Sequence, residues 1–153
     1  MRTPVLALIA LLAVGCIEPQ VSQELPPDLY IAYSYGACHA EWGRTVIEID
    51  AEGRGTYESG IGNGDAGDGP GVVSETRLFR LDRTELLSLL NGIERSGFFY
   101  LEDRYANPLI VDGDCNYISV TRNGTEKMVS ISNTKPPEAY SKAAALISEA
   151  ASG

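Results

Sequence analysis

The chain has 153 residues, enough for one domain with its own core, and carries 21 acidic against 12 basic side chains for a formal net charge of −9. A surface this acidic repels phosphates and anionic headgroups, which disfavours nucleic-acid binding and electrostatic attachment to a membrane. The simplest reason for such a charge is solubility.

The first element is an export signal. Arg2 precedes an apolar run from Val5 to Val14, and Ala13-Val14-Gly15-Cys16 closes it. The run falls well short of the ~20 residues of a spanning helix. Small residues directly before a cysteine make residues 1–15 resemble the signal peptide of bacterial lipoproteins, although Ala13 stands where that pattern prefers Leu. The resemblance implies cleavage before Cys16, a lipid such as palmitate on that cysteine, and an extracytoplasmic protein held to a membrane of the cell envelope. Residues 16–27 contain three prolines and no sustained period, as a tether would. Residues 28–153 are expected to form a single globular domain.

Leu29, Ile31, Tyr33 and Tyr35 alternate along a first strand, with Tyr30 pointing the other way. Thr45 to Asp50 and Gly55 to Ser59 read as a hairpin around Ala51-Glu52-Gly53-Arg54. Residues 60–71 hold six glycines and exclude regular structure. Val72 to Leu81 is a fourth strand. Asp82 and Glu85 have capping-box spacing ahead of a leucine stripe, Leu86, Leu87, Leu89, Leu90 and Ile93, which Ser96-Gly97 ends. Phe98, Phe99 and Leu101 follow as a wedge against the core. A long connection over residues 102–115 leads to the clearest hairpin, two strands around Asn123-Gly124. Pro136-Pro137 opens a last helix with Tyr140, Ala143, Ala144 and Ile147 on one side. The order β-β-β-β-α-β-β-α predicts an α+β fold, a single antiparallel sheet with helices packed on one face.

With Cys16 lipidated, Cys38 and Cys115 are an even pair in an oxidising compartment, and a disulfide is the expected state. Two buried thiols and a metal site with His39 are the alternatives; one His and two distant Cys lack the short paired spacings of metal ligands. His39 is the sole histidine and lies beside Cys38 and Glu41, yet neighbours in sequence point their side chains apart, so no catalytic dyad follows. Asn63, Asp65 and Asp68 miss the spacing of a calcium loop, and the glycines around them miss that of a phosphate loop. No catalytic residue, metal or cofactor is assigned. Tyr30, Tyr33, Tyr35 and Tyr57 are candidate binding-surface residues, because tyrosine offers wide contact area at low entropic cost. More often such tyrosines are ordinary strand residues with a wet hydroxyl edge.

From Leu81 to Ile147 the layout resembles emfourin-type inhibitors of thermolysin-like metalloproteases, and small lipoprotein domains of similar layout. The residues concerned are the leucine-rich helix ending in Ser96-Gly97-Phe98-Phe99-Tyr100-Leu101, the strand Tyr117-Ile118-Ser119-Val120 with Asn123-Gly124, and the Pro136-Pro137-Glu138 helix start. The resemblance covers about half the mature chain, carries no reactive residue across, and implies protease inhibition as one function. The leading expectation is a lipid-anchored binding or accessory module without catalysis and with a protein partner in the envelope. Inhibition through residues 60–71 or 102–115 is the alternative.

Overall fold

A computed structural model of the chain describes residues 24–38, 43–60, 75–110 and 113–153. The signal, Cys16, most of the tether, His39, Glu41 and residues 61–71 with Asn63, Asp65 and Asp68 lie outside the described residues.

Seven strands form one sheet: β1 (Tyr30–Gly36), β2 (Arg44–Asp50), β3 (Arg54–Ser59), β4 (Glu75–Arg80), β5 (Arg104–Ala106), β6 (Cys115–Arg122) and β7 (Thr125–Ser132). Their spatial order is β4-β3-β2-β1-β6-β7-β5. Two helices, α1 (Arg83–Ser96) and α2 (Glu138–Ala150), complete an α+β fold. Six strands pair antiparallel, but β5 runs parallel to β7, so the sheet is mixed and the expectation of a purely antiparallel one is corrected. The reason is positional. After α1 a single 3-10 turn, Phe98–Tyr100, and three further residues bring the chain back beside β7 running in β7's own direction. Ser130 N–H donates to Asp103 O and Asn107 N–H to Ser132 O, which holds it there. Three residues are too few to show a sequence period.

Alternation decides the layers. Ile31 and Tyr33 of β1 pair with Ile49 and Ile47 of β2 and with Val120 and Ile118 of β6, so these side chains share one face. They join Val129 and Ile131 of β7, Leu86, Leu90 and Ile93 of α1, and Tyr140, Ala143 and Ile147 of α2 in one buried cluster. We call this the core face. Tyr30, Ala32 and Ser34 alternate onto the opposite face.

The helix ends follow from local chemistry. Asp82 accepts from Glu85 N–H and Glu85 returns a bond to Asp82 N–H, closing the capping box, and Gly97 at φ 87° stops α1 in the left-handed conformation. Helix α1 starts two residues after β4, at one edge of the sheet, yet its last turn pairs Glu94 with Arg122 of β6. It therefore crosses over the intervening strands. Helix α2 runs antiparallel to it: Gly97 lies near Ala139, and Gly92 near Leu146.

Candidate functional site

One end of the sheet is stapled. Cys38 and Cys115 form a disulfide with a Cα–Cα distance of 4.6 Å, joining the chain just after β1 to the first residue of β6. The backbone bridge Ala37–Asp114 lies alongside, and Cys38 N–H donates to Gly113 O at 2.7 Å. Arg44 reinforces the corner from β2. Its guanidinium donates to Ser34 Oγ, Ala37 O and Cys115 O, three acceptors at the stapled end. Above this corner Asn107 Oδ1 accepts from Leu109 N–H, and Asn133 Nδ2 donates to Ile110 O. This turn presents Leu109, 89% exposed, beside Ile110.

The four tyrosines are divided between the two faces. Tyr33 lies in the core, stacked on Tyr35 with ring centroids 4.9 Å apart, and burial pushes its hydroxyl up to about 12. Tyr35 and Tyr57 pack partly buried against the same core. Tyr30 stands on the opposite face, where its hydroxyl donates to Glu48 Oε1 at 2.5 Å. Burial and this carboxylate push its pKa upward.

A feature the sequence reading missed lies at the sheet's other flank. Strand β4 is hydrogen-bonded to β3 alone, and no described residue pairs with its outer side. Leu81 N–H donates to Gly53 O at 2.8 Å, and Arg54 is the register partner of Arg80. By the parity of an antiparallel ladder, Arg77 and Phe79 turn their backbone groups to β3, whereas Thr76, Leu78 and Arg80 turn theirs to the open side. The Phe79 ring lies over Gly55, within 2.2 Å of where a Cβ would stand, so the glycine makes room for it. Beside this edge runs an open groove of about 720 Å³, between Leu78–Leu81 and the near ends of α1 and α2. Phe79, Leu81, Leu89 and Leu146 contribute apolar surface to it. Leu78, on the opposite face of β4, is 78% exposed.

Arg77 and Arg80 are the cations of this edge. Arg77 lies 5.0 Å from the Tyr57 ring centroid, and its Nε is buried without a hydrogen-bond partner. Arg80 has Arg54 as its cross-strand neighbour, and Arg54 is already committed to Asp50 and Glu52. Neither Arg77 nor Arg80 forms an ion pair among the described residues. The signal in the sequence was the strand Glu75-Thr76-Arg77-Leu78-Phe79-Arg80 itself, which alternates apolar and charged residues imperfectly. Its place at the edge depends on the pairing of all the other strands.

Among the described residues, no group of three or more His, Cys, Asp or Glu side chains is placed to hold a metal ion, and no helix is long and apolar enough to cross a membrane. The disulfide suggests an oxidising, extracytoplasmic environment. Compared with known proteins, the sequence matches no protein-family model and no curated relative.

Proposed function

We propose that this chain is a lipid-anchored, extracytoplasmic binding module without catalysis that holds a protein partner at the β4 edge. The open edge carries the reading: outward-facing backbone groups on Thr76, Leu78 and Arg80, an exposed Leu78, and an apolar groove alongside. Unpaired edges invite an added strand, and proteins that must avoid one keep edge strands short or covered. Strand β5, at the other edge, has three residues; β4 has six. In this reading both helices lie on the core face, Cys16 carries the lipid, and the tether lifts the domain off the membrane.

Hydrogen exchange tests it. With an envelope extract of the source cell added, the amides of Thr76, Leu78 and Arg80 are expected to gain protection. Protection confined to other surfaces, with β4 unchanged, would remove the edge from the function.

A second reading is favoured by the turn at Leu109 and Ile110, which carries two side-chain hydrogen bonds. An exposed apolar turn of this kind is what an inhibitor would insert into a protease cleft. Under this reading equimolar protein blocks a thermolysin-like metalloprotease, and Leu109→Asp relieves the block. Full protease activity in the presence of the wild-type chain would discard it.

A further inference from the structure

We infer that β4 receives an extended, acidic segment of a partner protein as an added strand, and that it selects for the order acid–apolar–apolar–acid. The inference rests on the binding-module reading and specifies its ligand.

Each position follows from what β4 turns outward. Arg77 and Arg80 are three residues apart and so lie on opposite faces of the sheet. A strand laid along the edge meets Arg77 on the core face and Arg80 on the other, and its acidic residues must likewise be three apart. Arg80 has a particular need for an anion from the open side, because its inner neighbour is Arg54 and like charges directly opposite destabilise a ladder. Arg77 has an aromatic ring on its inner side and no carboxylate partner among the described residues. Arg77 and Arg80, without an ion-pair partner among the described residues of a chain of net charge −9, mark the place where an acidic segment gains attraction instead of repulsion.

The two middle positions are apolar for separate reasons. Opposite Leu78, which is 78% exposed, an apolar side chain covers surface that water now wets. Opposite Phe79, the incoming side chain enters the groove toward Leu81, Leu89 and Leu146. The helical wall of that groove carries Glu85 and Glu149, which disfavour an acid there. Glu85 is already bonded to Asp82 N–H at 2.7 Å. The order reads the same in both directions, so an antiparallel segment satisfies it without further adjustment. A second copy of this chain fits poorly in the register through Leu78, the exposed apolar residue of the edge. Twofold pairing through Leu78 sets Arg80 against Thr76 and Arg77 against Phe79, brings the two Arg77 side chains near each other, and supplies no acid to either arginine.

The test uses the full chain in detergent and fluorescein-labelled peptides Thr-Thr-Glu-Val-Val-Glu-Thr-Thr, with the two Glu replaced by Lys in the comparison. Anisotropy should show the Glu peptide binding about tenfold or more tighter than the Lys peptide, as two exposed charge pairs allow. The difference should shrink at high salt. The double variant Arg77→Glu/Arg80→Glu should invert the preference, which a merely misfolded variant would not do. Leu78→Pro removes an outward N–H and spares the bonds to β3, so it should abolish binding of the Glu peptide while leaving the far-UV spectrum unchanged. Equal affinity for the two peptides, or a preference untouched by the charge reversal, would overturn the acidic selectivity. So would sedimentation of the chain as a dimer that Arg77→Glu/Arg80→Glu leaves intact. If neither peptide binds while an envelope extract still protects β4, the selectivity falls and the binding reading stands. If β4 is protected by neither, both fall.

Discussion

Arg122 joins three elements at one point. Its guanidinium pairs with Glu94 of α1 and lies 3.7 Å from the Phe99 ring centroid, while its backbone belongs to the β6–β7 hairpin. Glu94 is 8% exposed, so removing Arg122 takes an ion-pair partner away from a buried carboxylate. Arg122→Ala is expected to cost about 3 kcal/mol in urea unfolding; a loss no larger than an ordinary surface substitution would mean the pair is solvated. Asp28 acts through the backbone. Its carboxylate accepts from Gly124 N–H at 2.6 Å and Asn123 N–H at 2.7 Å, clamping the last residues before β1 onto the hairpin turn. These bonds, Gly124's foremost, hold its pKa below the usual carboxylate value. A depressed pKa adds stability that is complete above the unfolded value, near pH 4, and is lost as pH falls through the folded one. Thermal melts in acid should therefore show wild type losing stability that Asp28→Asn never had, with the two curves converging below about pH 4. Parallel curves would refute the clamp.

At the scale of elements, the helix and hairpin boundaries are local chemistry and were legible. Asp82 with Glu85, Gly97, and Asn123-Gly124 each require a backbone conformation that neighbouring residues alone specify. Asp82→Ala removes a side-chain acceptor at the start of α1 and is expected to lower stability by about 1 kcal/mol, read from the urea midpoint at unchanged slope. Strand β5 was not legible, because Arg104–Ala106 is short and its partner β7 lies beyond a whole hairpin strand in sequence. The candidate site was legible only in part. The residues of β4 were assigned to a strand, but nothing in Arg77-Leu78-Phe79-Arg80 announces that one side has no neighbour. Tyrosine drew attention through abundance, and alternation then divided Tyr30 from Tyr33, Tyr35 and Tyr57.

Across the whole molecule the disulfide closes a separation of 77 residues between strands that are neighbours in the sheet. Chain entropy assigns such a loop about 4–5 kcal/mol. Cys38→Ser/Cys115→Ser is therefore expected to unfold at markedly lower urea with the sheet's far-UV signature intact, whereas unchanged stability would show that the reduced chain keeps the same contacts unaided.

The sequence by itself determined the helix caps, the hairpin turns and the alternation that separates core face from opposite face. All depend on neighbouring side chains or on period. It made the pairing of Cys38 with Cys115 an expectation, and the structure shows it. Only the tertiary structure decided the strand order, the parallel return of β5, and the exposure of β4 beside its groove. An edge is a property of what does not pair with a strand, and that depends on how every other strand has found its partner.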